Sequence, residues 1–297
     1  MKVFVTGASG FIGSAVTAEL LGHGHHVLGL ARSDAAAQRI TAAGAEAVRG
    51  DLDDLDALEA GASAADAVIH LAFQHDFTAY DTAARVDRRA IETLGEALAG
   101  SDRALVVASG MAGLGRGRIL TEDQAAPPDA PRESEPAVFA FTDRGVRAAA
   151  VRLAPTVHGE GDHGFVPTLI SIARATGVST YPGDGFNRWP AVHRLDAAAL
   201  FRIAAEDAPA GTLLHAVADE GIPVRQIAEA IGHGLDVPVE ATTAQASIDR
   251  AGFIGAVFAM DLPASSALTR TQFGWQPTHP GLLADLSQAH YFATPEA

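Results

Sequence analysis

A doubly wound α/β fold is the architecture this sequence predicts: a parallel sheet with helices on both faces and a smaller carboxyl-terminal substrate lobe. Two observations carry that reading. The first is the opening stretch, MKVFVTGASGFIG, where a short apolar run leads into three evenly spaced glycines. The second is the alternation that follows, in which short apolar runs and Ala-rich, helix-forming segments succeed one another as far as Leu153. An apolar run with no polar break reads as a strand buried on both faces, as in a parallel sheet.

Val3, Phe4 and Val5 are the first such strand, and Thr6 and Gly7 turn the chain. Gly7, Gly10 and Gly13 follow, and residues 14–21 (SAVTAELL) form a helix that Gly22 and Gly24 end. Strand, glycine turn and helix together are the setting of a dinucleotide fingerprint. Gly7 allows the tight turn, Gly10 lets backbone N–H groups approach a pyrophosphate, and Gly13 lets the helix pack on the strand. The positive end of the helix dipole then faces the phosphates. Ser9, Phe11 and Ile12 belong to the same turn and count as binding residues.

Residues 27–31 (VLGLA) are the second strand, after which an NAD site normally places an acidic residue for the ribose 2′-OH. Here the sequence reads Ala31-Arg32-Ser33. A guanidinium clamps a 2′-phosphate and stacks on adenine, so Arg32 and Ser33 favour NADP over NAD. Asp34 can still reach the ribose if the loop turns back. A helix over 34–43, a strand over 45–49, the turn Gly50-Asp51-Leu52-Asp53, a helix over 53–60 and a strand over 67–71 follow. His70 lies within that apolar strand and reads as a core histidine.

The loop 73–80 (FQHDFTAY) leaves the carboxyl end of a strand, where ligands sit in open parallel sheets. Gln74, His75 and Tyr80 are therefore candidate substrate contacts. A helix spans 85–98 and a strand 104–108, followed by Ser109-Gly110. The stretch 121–138 carries Pro127, Pro128 and Pro131 and reads as an extended loop. The sixth strand lies within 146–153 and a seventh over 213–217. Helices are predicted over 166–175, 197–205 and 222–231.

Composition narrows the class. The chain has 297 residues, nearly half of them hydrophobic, and a net charge of −15. That charge argues against nucleic acid as a partner. No apolar run reaches the roughly eighteen residues of a membrane span. The chain enters a strand at once, without a signal peptide, so a cytoplasmic location is expected. Cysteine is absent, which excludes a disulfide framework and a thiolate nucleophile.

The spacing T-G-x-x-G-x-x-G, written here as TGASGFIG, resembles the extended and atypical short-chain dehydrogenase/reductases, whose members include NAD-dependent epimerase/dehydratase-like enzymes. The resemblance runs through most of the chain. It implies that Asp51 and Leu52 meet the adenine, that Leu71 and Ala72 follow the inner ribose and pyrophosphate, and that Pro155 passes the nicotinamide. It implies that Ser109 hydrogen-bonds the reacting carbonyl; an alternative register puts Gly110 there and leaves Ser109 structural. Asp87 stands where extended members carry asparagine. RLAPTVHG, at 152–159, resembles R-x-x-N-V-Y-G with Thr156 and His158 as replacements. YPGDGFNRWPAVH, at 181–193, resembles the loop that closes over substrate, so Asn187, Arg188 and Trp189 should face the pocket. His158 with Asp162 and His163 invites a metal reading, but a glycine loop gives it no supporting shell, and no metal is expected.

One departure matters most. The family's chemistry uses Y-x-x-x-K, in which the lysine lowers the pKa of a proton-donating tyrosine. This sequence has one lysine, Lys2, and tyrosines at 80, 181 and 291, so the pair cannot form. Tyr181, His158, His75 and water are the candidate donors, and an imine, arriving protonated, relaxes the need for one. The resemblance implies an NADP-dependent oxidoreductase acting on a carbonyl or imine of a small organic substrate. A non-catalytic NADP-binding regulator or scaffold and a sugar epimerase or dehydratase are the alternatives. The expected domains are a dinucleotide-binding core, 1–157 with a returning segment 191–218, and a substrate lobe from 158–190 and 219–297. Extended members often form a homodimer through two core helices, for which the helix over 85–98 is the candidate.

Overall fold

The computed structural model describes residues 1–74, 80–115, 117–127 and 132–293. In chain order the first half holds β1 (Lys2–Thr6), α1 (Phe11–Gly22), β2 (His26–Ala31), α2 (Asp34–Ala42), β3 (Glu46–Arg49), α3 (Leu55–Ser63), β4 (Ala67–His70), α4 (Tyr80–Leu98), β5 (Ala104–Gly110), α5 (Ser134–Phe139) and β6 (Arg147–Leu153). The second half holds β7 (Thr156–His158), α6 (Phe165–Thr176), β8 (Ser179–Pro182), β9 (Arg188–His193), α7 (Arg194–Asp207), β10 (Thr212–Ala216), β11 (Asp219–Pro223), α8 (Val224–Leu235), β12 (Val239–Thr242), α9 (Ala244–Ala251), α10 (Phe253–Phe258), α11 (Ala267–Phe273) and α12 (Leu282–Asp285).

Seven strands form one parallel sheet in the order β10-β6-β5-β4-β1-β2-β3. The chain starts in the middle, winds out to β3, and returns to β4 on the other side of β1. That reversal opens a crevice at the carboxyl ends of β1 and β4, where such sheets bind ligands. Successive strand residues point to opposite faces. Val3, Val5, Ile69 and Val106 pack under α1, α2 and α7. Phe4, Val68, Leu105 and Val107 pack under α3, α4 and α5. Both faces are covered, which is why these strands read as unbroken apolar runs.

A second core, with Ile170, Trp189, Ile227 and Phe258 in it, lies in the carboxyl-terminal half. Two small sheets frame it, β11-β9-β7 and β12-β8. Here the structure departs from the sequence reading. The segment 181–193 is not one loop, because its ends are strands β8 and β9. α5 starts inside the stretch read as extended; Pro136 is its third residue, within the first turn, where a missing N–H breaks no helical bond. Among the described residues no helix is long and apolar enough to cross a membrane.

Histidines and carboxylates fasten the chain's end to α7. Asp196 accepts from Thr278 N (2.9 Å) and His279 Nδ1 (2.8 Å), and His279 stacks on His193 with ring centroids 4.8 Å apart. His158 meets His193 edge-on at 5.3 Å. Burial first, then the neighbouring His158 and His279, push His193 down from 6.5 to about 4. Between those values the unfolded chain takes up a proton that the folded chain refuses, so stability falls as pH falls. The urea midpoint should therefore drop between about pH 6.5 and about pH 4, and His193→Gln should flatten that slope. An unchanged slope in His193→Gln would contradict this account of the cluster.

Candidate functional site

The glycine turn is built by close approach. Gly7 has φ +71°, and a Cβ there would lie 2.9 Å from Ala72 N. A Cβ on Gly13 would sit 1.9 Å from the Gly7 carbonyl oxygen, so only glycine lets α1 start directly on the turn. Gly10 donates to Gly7 O at 2.9 Å and is the N-cap of α1. No side chain caps this helix, and its first turn holds no acidic residue. Its unpaired N–H groups and positive dipole end are what an anion requires.

A cavity of about 820 Å³ lies over this turn. Gly7, Ser9, Gly10, Phe11, Ile12 and Gly13 line it along the start of α1. Arg32, Asp51, Leu52, Leu71, Ala72 and Pro155 line it as well. Ser109 and Gly110 line it together, and so do Gln74 and Tyr80. One cavity thus collects most of the residues expected from sequence. Ser33 is not on its wall; its hydroxyl caps α2 by accepting from Ala36 N at 3.2 Å. Asp34 pairs with Arg49 at 3.0 Å. His75 lies outside the described residues.

Five expectations are corrected, because His158, Tyr181, Asn187, Arg188 and Trp189 do not line the cavity. Trp189 is 1 % exposed; its indole N–H donates to Thr156 Oγ1 (2.8 Å) and its ring packs against Phe258 within the second core. Arg188 forms a bidentate pair with Asp261, at 3.0 and 2.8 Å. Tyr181 lies in β8 beneath the Arg225 guanidinium, 5.6 Å from the ring centre. His158 is fully buried with Nδ1 on Asp285 Oδ2 at 2.8 Å. Asn187 faces away as well, donating to the Phe258 and Met260 carbonyls. Asp162 accepts from the Tyr291 hydroxyl at 3.1 Å, and His158 bonds Asp285.

Two buried charge systems adjoin the cavity, reaching its wall through Ser109 and Glu135 and through Arg132. Ser109, 4 % exposed, donates to Glu135 Oε1 at 2.8 Å. Arg152, wholly buried, grips the same carboxylate with Nε (2.8 Å) and one terminal nitrogen (2.7 Å). The second system starts at Thr6. Its hydroxyl accepts from Leu71 N and Ala72 N, both at 3.2 Å, and pairs with His70 Nδ1 at 2.8 Å. With two N–H groups already on its oxygen, the hydroxyl donates to Nδ1, and Nε2–H then donates to Asp87 at 3.2 Å. Ser134 and Arg132 also donate to Asp87, at 2.5 and 3.4 Å.

Burial alone would raise the Asp87 carboxyl, but Arg132, His70 and Ser134 together hold it below its ordinary 3.8. Arg132 lies over the Phe73 ring at 4.3 Å, and both line the cavity. Tyr80 lines it too; burial pushes its phenol upward, Arg132 opposes that, and Asp87 adds to it. Met111, Phe165, Phe253 and Ile254 form an apolar wall. Glu135 and Arg132 were missed from sequence because the proline-rich stretch read as extended. The apolar spacing of Ala137, Val138 and Phe141 was the signal that a helix follows.

The profile of the NAD dependent epimerase/dehydratase family matches residues 3–215. An uncharacterized protein of Schizosaccharomyces pombe is 48 % identical over 295 residues, which is 98 % of this chain and 100 % of the relative. The 2′-dehydrokanamycin reductase of Streptomyces kanamyceticus is 32 % identical over 252 residues, or 80 % of this chain and 68 % of its own. A dTDP-glucose 4,6-dehydratase of Streptomyces venezuelae, solved with NAD bound, superposes with a TM-score of 0.79. It is 18 % identical, over 98 % of this chain and 97 % of that one, so it speaks to fold.

The Asp87 system gives a measurable stability term. A carboxyl held below 3.8 stabilises the fold above that pH and loses its contribution as pH falls through the lowered value. Asp87→Asn should cost about 1–3 kcal/mol at pH 7, by urea unfolding. The gap to the parent chain should narrow below about pH 4. A gap that is constant with pH would contradict the assigned charge on Asp87.

Proposed function

The chain belongs to the NAD dependent epimerase/dehydratase family, and we propose that it is an NADP-dependent oxidoreductase acting on a carbonyl or imine of a small, largely apolar organic substrate. The observation that carries this reading is the single cavity that joins the uncapped start of α1 to the Ser109–Glu135 and Tyr80–Arg132 groups. Its volume falls in the range of small-molecule sites.

The residues present fit a dinucleotide. The free first-turn N–H groups of α1 suit a pyrophosphate, and Gly10 leaves them open because a Cβ there would press on the turn, 3.2 Å from Gly7 O. Asp51 and Leu52 would take the adenine, Leu71 and Ala72 the inner ribose, and Pro155 the nicotinamide side. Arg32, exposed at the rim, would meet a 2′-phosphate, while Asp34 is occupied with Arg49. When bound, such a cofactor supplies or accepts a hydride.

The chain's own residues then bind and orient. Met111, Phe165, Phe253 and Ile254 exclude water from one side and take the apolar body of the substrate. Ser109 and Glu135 anchor its reacting group from the sheet side. A relative named as a reductase supports redox chemistry. A sugar epimerase or dehydratase has the dehydratase-like fold in its favour. The apolar wall and the impossible tyrosine–lysine pair weigh against it. A regulator without chemistry would suit a filled cavity better than this open one.

Titration of NADPH and NADH fluorescence tests the cofactor. NADPH should bind at least about tenfold more tightly, and Arg32→Ala should remove most of that preference, since a charged hydrogen bond is worth about 1.5–3 kcal/mol. Oxidation of NADPH by ketones or cyclic imines should follow. Equal binding of both nucleotides, unmoved by Arg32→Ala, would make this an NAD enzyme. Binding of neither would end the oxidoreductase reading.

A further inference from the structure

The Ser109–Glu135 contact has a direction. A carboxylate accepts and cannot donate, so the Ser109 proton lies on the Glu135 side of the 2.8 Å bond. The carboxylate cannot swing to release it. Arg152 holds both of its oxygens, through Nε on Oε1 and a terminal nitrogen on Oε2. Arg152 is itself fixed, donating to the Gln124 carbonyl at 2.9 Å and lying 3.4 Å from His215 Nε2. His215 donates Nδ1–H to the Ser265 carbonyl at 2.7 Å, which leaves Nε2 as the acceptor for Arg152. Every donor in this line points away from the cavity. What Ser109 and Glu135 present to the cavity is lone pairs.

A carbonyl oxygen placed against such a surface sets lone pairs against lone pairs. An N–H does the opposite, and an N–H⁺ beside a carboxylate-backed oxygen forms a charge-assisted bond. We infer that Ser109 and Glu135 form an acceptor-only anchor that selects a protonated imine, and the secondary amine it becomes, over a carbonyl compound. This deepens the oxidoreductase reading and rests on it. It also answers the missing tyrosine–lysine pair. A protonated imine brings the proton that a ketone must obtain from the protein. The one phenol among the described lining residues, Tyr80, is made a weaker acid by its burial rather than a stronger one.

The test is binding, read by calorimetry on the NADP-loaded protein, with matched probes. The amine is 2-phenylpyrrolidine, with pyrrolidine as its small counterpart; the carbonyl probe is 2-phenylcyclopentanone. The amine should bind at least tenfold more tightly than the ketone. Ser109→Ala leaves the Glu135–Arg152 pair whole and should reduce the preference to within about threefold. Glu135→Gln, where it folds, should shrink the amine preference, because it removes the charge behind Ser109 while the amide oxygen still accepts from Ser109 and from Arg152 Nε. A ketone that binds as tightly as the amine overturns the inference, as does a preference that survives Ser109→Ala. NADPH fluorescence, followed separately in each variant, distinguishes these results from failure of the dinucleotide reading itself.

Discussion

Thr6 lies where β1 and β4 stop pairing, and its hydroxyl holds the two strand ends together at the mouth of the crevice. It accepts from the N–H groups of Leu71 and Ala72, the first residues past β4. That duty forces its own proton onto His70, which fixes the tautomer and aims Nε2–H at Asp87. Asp87 in turn takes Ser134, the first residue of α5. The next residue on α5 is Glu135, which holds Ser109. One hydrogen-bonded line therefore runs from the glycine turn to Ser109 on the cavity wall. Each member has a partner that fixes its donor and acceptor sides, so the line specifies geometry rather than merely filling space.

Two ion pairs sit along this line, Asp87 with Arg132 and Glu135 with Arg152. Buried pairs are poor sources of stability, because desolvation offsets most of their attraction. Their service here is positional. Arg152 comes from the carboxyl end of β6 and fixes Glu135 from behind, while Arg132 spans from Asp87 to the Phe73 ring. A site whose ordinary tyrosine–lysine pair is missing still has a rigid polar floor, made from different residues on the same sheet edge.

What was legible in the sequence was local. The turn from Val5 to Gly13 could be read because its glycines answer to contacts within a few residues and to one strand end. Arg32, Asp51 and Pro155 line the cavity, a position readable from the strand ends that they follow; their contacts with a cofactor belong to the proposal. What failed depended on distant partners. His158 answers to Asp285, 127 residues away, and no local pattern announces that. Trp189 and Arg188 were expected in the pocket because 181–193 resembles a loop that closes over substrate, but β9 carries Trp189 into the second core and Arg188 onto Asp261. Glu135 was hidden by prolines that read as helix-breaking, although Pro136 occupies a first-turn position where proline is harmless.

The proposed function requires a dinucleotide along one cavity, from Arg32 across the glycine turn to Ser109. A crystal structure of the protein with NADPH tests that most directly. The account predicts the pyrophosphate on the N–H groups at the start of α1, the 2′-phosphate against Arg32, and the nicotinamide between Pro155 and Ser109. A nicotinamide that lies away from Ser109, or a nucleotide that leaves the start of α1 uncontacted, would contradict it.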